Sequence, residues 1–442
     1  MIKAPPEWGI EPAPDRLKIL RGLDLFVLWF SLGVGLLVYA AGAELLELGL
    51  SLADSIFVSV LGSVVGVAPL AVVGLMGGRY GVPTMVLTRP ALGVRGSWIP
   101  TVLNVVQLVG WASFELWVMA TALDAVVSSV FGYSNYTLWV CLFALWCGLM
   151  ALGGPLMVVR KYLERFAIYP LMGAAAWITY YFCTSYDVKS LLGRLGAGGL
   201  GILLGIDLVV AMPISWLPLV ADYNRFARDR RGNVLGTYLG YLSSNVWFYA
   251  MGAICMAATM GMFENPVLAL TGMAFGAPSI IAILVDETDN CFADIYSCAM
   301  SAKNVVPEWR TWKLVVAATV ASVLIALFTT PTVYVLFLYW IGSVFCPLAG
   351  IMIADHYLVK RGYRVEWLYG REGYWYTGGF NPAALACWAA GIASYWLCYF
   401  KAPFVGSSIP SMLVSMLLYA VIGRTYEHTI KRSESTQASK PL

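Results

Sequence analysis

Charge is scarce in this chain. Of its 442 residues only 12% are Asp, Glu, Lys or Arg, against about 25% in a soluble domain, while 60% are hydrophobic and mean hydropathy is +0.75. A soluble domain is thereby excluded. Histidine is scarcer still: His356 and His428 both sit beside basic runs, which removes imidazole chemistry from the apolar segments. The nine cysteines, at positions 141, 147, 183, 255, 291, 298, 346, 387 and 398, fall mostly within apolar runs. No CxxC and no paired Cys/His spacing occurs, so they read as small packing residues rather than a disulfide framework or a metal site. HExxH, GxSxG and Cys/His clusters are also missing, and with them the nucleophile or metal of a membrane enzyme. The chain reads as a non-enzyme without a cofactor. A net charge of +3 gives no reason to expect a nucleic-acid partner.

What is present is a succession of apolar runs near bilayer length, the mark of helices that cross a membrane. Twelve are counted, at 23–47, 53–76, 97–129, 136–157, 165–183, 199–222, 234–260, 277–301, 312–329, 332–354, 381–400 and 404–422. The piece 262–275 (MFENPVLALTGMAF) reads as an external helix lying at the surface. Residues 1–22 hold four prolines and lack the apolar core and cleavage site of a signal peptide, so they read as a cytoplasmic tail. With that end inside, all but three of the 28 basic residues fall in cytoplasmic segments; Lys189, Arg194 and Lys401 are the exceptions. One miscounted span would spoil this asymmetry. The expectation is an all-α, twelve-span protein of the plasma membrane with both termini cytoplasmic.

Two spans carry helix-weakening residues near their middles: FSLGVGLL (30–37), with Gly33 and Gly35, and AMPISWLPL (211–219), with Pro213 and Pro218. Irregular backbone at membrane depth is tolerated where it lines a cavity. Breaks five helices apart are expected if spans 1–5 and 6–10 are inverted repeats meeting at a midplane site. The division is then 1–22 tail, 23–183 first repeat, 199–354 second repeat, 355–380 cytoplasmic loop, 381–422 the last two helices, and 423–442 a C-terminal tail.

Polar residues gather on two helix faces. In the third span Asn104, Gln107, Trp111 and Glu115 lie within an arc of about 80° at 100° per residue. Amides, an indole and a carboxylate side by side suit a flat polar heterocycle; an outward or purely structural Glu115 is the alternative. Between Arg231 and Lys303 there is no Lys or Arg, yet 284–297 reads LVDETDNCFADIYS. A helix starting at Ala277 carries Asp286 roughly 15 Å deep, with Glu287, Asn290 and Asp294 on the same face and Asp289 apart. Like charges so close in a low dielectric cannot all ionise, so protons are kept or a cation is bound. Intramembrane carboxylates are pathway or coupling residues by default. If the helix instead ended near Val285, the acids would form a solvated face. Asp207, alone in the sixth span, fits a structural bond as well as a transport role.

RYGVPTMVLTRPALGVRGSWIP (79–100), NVVQLVGWASFE (104–115), VADYNRFARD (220–229) and IADHYLVKR (353–361) resemble the nucleobase:cation symporter family of cytosine, purine, allantoin and hydantoin permeases. PPEWGIEP followed by GLDLFVLWFSLGVGLLV is most similar to the branch assigned to hydroxymethylpyrimidine, the thiamine precursor. The resemblance implies a leucine-transporter-like fold of two inverted five-helix repeats plus two peripheral helices. It implies that Trp111 stacks on the substrate ring, with Gln107 one place from the base-binding glutamine of cytosine permeases and Glu115 where hydantoin permeases use glutamine. Pro213 falls where relatives place a second stacking aromatic, leaving that surface to Trp216. Asp286 and Glu287 stand in place of two hydroxyl residues that help bind sodium in relatives.

The sequence therefore leads to a secondary transporter importing a heterocycle with H⁺ or Na⁺. Trp111, Gln107, Glu115, Trp216, Ser215 and Asn104 are the candidate substrate residues. Asp286, Glu287 and Asn290 with the first-helix break at Ser31, Gly33 and Gly35 are the candidate cation residues. Hydroxymethylpyrimidine or cytosine is the expected cargo; purine, allantoin or hydantoin transport and a non-transporting membrane sensor are the rivals. The lipid bilayer is the one further partner expected, and oligomeric state is not legible.

Overall fold

A computed structural model describes residues 9–198, 201–259, 266–330 and 333–438. Six single helices are long and apolar enough to cross a membrane, and the pair Gly22–Ser31 and Leu36–Glu47, bent by 56°, makes a seventh crossing. Thr311–Ala326 and Ser408–Arg424 are shorter apolar helices. Ile168–Ser185, Arg230–Thr259 and Gly276–Ala302 complete twelve rods among the described residues. The spans sit where the apolar runs predict them, because each run is bounded by its own stop signal. Ser51 caps the second span by accepting from the Asp54 amide at 3.0 Å, and Gly81 ends it with φ of +73°, which a glycine adopts without a Cβ clash.

The two broken spans are broken differently. The first loses helical backbone between Ser31 and Leu36. The sixth stays helical through Pro213 to Trp216 and only tightens into a 3₁₀ turn at Leu217–Leu219, around Pro218, before Val220–Asn224. Of the surface helix at 262–275, residues 262–265 lie outside the described residues; the rest forms Pro266–Ala269 and the turn Leu270–Gly272. Residues 1–8 of the N-terminal tail are also outside, and residues from Gly9 onward pack across the basic end with Ile10 and Leu20 buried. The last helix continues to Ala438, into the segment read as a tail.

Two sets of helices enclose the break in the first span. Its halves pack on the seventh span, which packs on the second, which packs on the sixth; the eighth packs on the third and fifth. A seam of glycines joins the first and seventh spans. A Cβ on Gly42 would meet the Tyr249 backbone, one on Gly252 the Tyr39 backbone, and one on Gly240 the Phe26 carbonyl at 2.6 Å. Small residues at such crossings let backbones approach where lipid offers no hydrophobic drive.

Polar fasteners act at both ends. At the basic end the buried Arg89 donates to the Asn304 side chain at 2.8 Å and the Leu368 carbonyl at 2.7 Å. Burial lowers its guanidinium to about 10, so it remains a cation at neutral pH. In the sixth span the buried Asp207 accepts from the Ser407 amide at 2.6 Å and the Ser408 amide at 2.8 Å, where the last helix begins. Asp207 thus makes the structural bond that the sequence left open, as a cap on the last helix. Asp207→Ala is expected to lower stability by about 1–3 kcal/mol, the cost of orphaned buried donors. Thermal unfolding of the purified protein checks this, and an unshifted midpoint rejects the cap.

Candidate functional site

The first-span break is clasped from one side by the eighth helix. The Ser31 hydroxyl donates to Asp286 at 2.6 Å, and the Leu36 amide donates to both Glu287 oxygens at 3.0 Å. The Asn290 side-chain amide donates to the Val34 carbonyl at 2.9 Å. A helix N-terminus leaves its first amides unpaired, and a carboxylate is the natural partner for them and for the helix dipole. Gly35 is needed for this approach: a Cβ there would lie 3.1 Å from Glu287 and 3.2 Å from the Asn290 amide. Gly33 faces the other way, against Ser244 of the seventh span. All six candidate cation residues therefore lie at the break, though Gly33 faces away from the acids.

The helix does not end near Val285; it runs on to Ala302 with every acid buried. Asp289, set apart by the helical wheel, belongs to the same cluster. Both its oxygens are buried without a partner, beside Asp286 and Glu287. From the third span Glu115 brings its carboxyl against that of Glu287, with Asp294 and Asp289 nearby. Sequence reading put Glu115 on the substrate edge; the fold also makes it a neighbour of the eighth-helix acids. Glu115, Asp286, Glu287, Asp289 and Asp294 are each 5% exposed or less. Charge balance among them requires protons or a cation. Among the described residues, no group of three acidic, His or Cys side chains converges as ligands of one metal ion would.

A small cavity of about 10 Å³, room for one water, lies beside this cluster. Trp111 and Trp216 line it together with Glu115, Asn290, Asp294 and Met212. The Trp111 Nε1 and one Glu115 oxygen are buried and unpartnered. Tyr334 and Phe337 meet Trp111 edge-on at 6.0 and 5.3 Å between centroids, and Trp29 meets Trp216 at 6.2 Å, so both indoles are held in place. Asn104, Gln107 and Ser215 are not on the cavity wall. The Gln107 amide donates to Asn104 and to the Ser215 carbonyl, both at 2.8 Å, Asn104 donates to Ser301 at 2.8 Å, and the Ser215 hydroxyl turns to Met212 at 2.6 Å. These polar groups fasten the third span to the sixth and eighth. The Gln107 side-chain oxygen stays unpartnered.

Sequence reasoning missed Trp29 and Tyr334, aromatic residues in apolar runs with nothing to separate them from packing. It also held Asp289 and Asp294 back from the site, although the missing countercharge applied equally to them.

A family model for permeases for cytosine/purines, uracil, thiamine and allantoin matches residues 14–423. A hydantoin permease of Microbacterium maritypicum is 25% identical, covering 94% of this chain and 89% of its own. An allantoin permease of Bacillus subtilis is 23% identical over 94% of this chain and 92% of its own, and a cytosine permease of Escherichia coli K12 26% identical over 71% and 73%. Among solved structures, a nucleobase-cation-symport-1 family transporter in a closed conformation with bromovinylhydantoin bound superposes with a TM-score of 0.84 at 22% identity, covering 95% of this chain and 96% of that one. An inward-facing conformation of such a protein gives 0.79.

Proposed function

Because this chain belongs to the family of permeases for cytosine/purines, uracil, thiamine and allantoin, and is a multi-pass membrane transporter rather than an enzyme, we propose that its cargo is an aminopyrimidine taken up by cation symport. Hydroxymethylpyrimidine and cytosine are the cargoes of that class. One observation carries the reading: a carboxylate with an unpartnered oxygen, Glu115, lines the same cavity as two indoles, Trp111 and Trp216. A carboxylate accepts from an exocyclic amine or pairs with a protonated ring nitrogen, and the indoles supply flat apolar faces. Relatives that carry hydantoin or allantoin keep those cargoes open as outcomes of the test. The cavity must open for any of them, since a ring does not fit in the space of one water. We place the cation at the acid cluster beside the break, both termini in the cytoplasm, and the two five-helix units at 23–183 and 199–354.

The deciding experiment is a competition series against one labelled ligand with purified protein. Amino-bearing pyrimidines are expected to compete best, and Glu115→Gln to cost them more than it costs uracil, because an amide replaces half of the acceptor by a donor. Equal losses for amino and oxo rings reject the role of Glu115. Preference for hydantoins in the wild type moves the cargo to that class. Counterflow in liposomes separates a transporter from a sensor that binds without moving its ligand.

Trp111→Ala is expected to weaken binding by about 1–3 kcal/mol, the scale of stacking a base on an aromatic side chain. Affinity unchanged in folded mutant protein removes Trp111 from the ring contact.

A further inference from the structure

At the basic end of the bundle lies a cavity of about 470 Å³, lined by none of the acids of the cluster. It forms where the second span ends, the seventh begins and the tenth ends. Lys18, Arg79, Arg228, Arg230 and His356 line it, with one acid, Asp229. Lys18 is matched by Asp15 at 2.9 Å, and Asp229 is engaged with the Gly232 amide at 2.6 Å as the cap of the seventh helix. Arg79, Arg228 and Arg230 are exposed and make no ion pair among the described residues.

Basic residues at a cytoplasmic face are ordinary; three guanidinium groups around one cavity with no acid paired to them are not. His356 is 2% exposed, and its Nδ1 is buried without a partner. Its other ring nitrogen, Nε2, lies 2.8 Å from the Tyr80 hydroxyl. That hydroxyl also accepts the Tyr363 amide at 2.9 Å, so the imidazole is tied into the packing behind the cavity. The wall itself offers three guanidinium groups that no acid pairs among the described residues.

The geometry points to a binding site for a phosphate ester at this cavity. A carboxylate uses two acceptor oxygens in one plane, whereas a phosphate takes donors from several sides, as guanidinium forks around one cavity supply them. The volume lies within the range of small-molecule sites and leaves room for the body that the phosphate esterifies. The half-buried Leu75 and the exposed ring of Tyr357 give that body an apolar wall. The same chemistry is offered by a phospholipid headgroup and by a soluble phosphorylated metabolite.

The test uses the full-length protein in detergent and in nanodiscs. Glycerol 3-phosphate and inorganic phosphate are titrated at constant ionic strength against chloride, read by thermal unfolding and calorimetry. Phosphatidylglycerol and phosphatidylcholine are compared by native mass spectrometry. Saturable binding of a phosphate probe or selective retention of phosphatidylglycerol is expected. Arg228→Gln/Arg230→Gln together, at exposed positions that leave the fold intact, should weaken it at least tenfold. Arg310→Gln, exposed at the same end but off the cavity, should not change it. Displacement of phosphatidylglycerol by glycerol 3-phosphate assigns the site to a soluble ester; resistance to displacement assigns it to a headgroup. Binding no better than chloride and phosphatidylcholine, or an equal loss in Arg310→Gln, overturns the proposal.

Discussion

In proteoliposomes holding a pH gradient of two units, the wild-type protein should concentrate its heterocycle on the order of a hundredfold, tenfold per unit for one proton carried. Asp286→Asn and Glu287→Gln should bring that ratio close to one while ion-independent exchange continues. The reason lies in what these acids hold. Asp286 takes the Ser31 hydroxyl before the break and Glu287 takes the Leu36 amide after it. A proton or cation arriving at the cluster competes with those bonds, so its occupancy is linked to the conformation of the first span. An amide keeps one acceptor for the same donors but cannot change charge. Accumulation driven by a sodium gradient alone would reject the proton version. Wild-type accumulation in both variants would remove the two acids from coupling altogether.

The second large effect concerns folding. Gly42→Leu is expected to cost more than the usual 1–3 kcal/mol of an overpacked core, because the new Cβ meets the Tyr249 backbone rather than a side chain that can turn away. Little monodisperse protein should be recovered, with a lowered unfolding midpoint in what remains. Gly173→Leu is the control: Gly173 is exposed and a Cβ there has nothing within 4 Å. Equal recovery of the two variants rejects a close-packed seam.

The spans were legible because a bilayer enforces a length and a hydropathy that need no knowledge of neighbours. The break in the first span was legible for a similar reason, since two glycines in eight residues weaken a helix locally. Its counterpart in the sixth was read at Pro213 and Pro218, yet only Pro218 falls in the irregular turn. A proline inside a helix removes one hydrogen bond, and the helix continues where its neighbours hold it. The wheel that grouped Asn104, Gln107, Trp111 and Glu115 found a polar face but not its partners. Asn104 and Gln107 bond to Ser301 and to the Ser215 carbonyl, groups nearly two hundred and more than a hundred residues away. Asp289 was set aside because a wheel assumes one wet or greasy side. The eighth helix has no such side at that depth, for it is packed all round, and every residue from Asp286 to Ser301 is buried.

Among the described residues the acid cluster has no basic side chain paired with it, so a cation carried with the cargo is what answers it, and this has an electrical consequence. The carboxylates stay with the protein and return with it, so a neutral pyrimidine accompanied by one cation transfers one elementary charge per cycle. Each 100 mV, negative inside, then adds about 2.3 kcal/mol to uptake, which is more than a one-unit pH gradient supplies. Uptake should therefore draw a current, and a potassium diffusion potential set with valinomycin should drive accumulation in vesicles with no pH or sodium gradient at all.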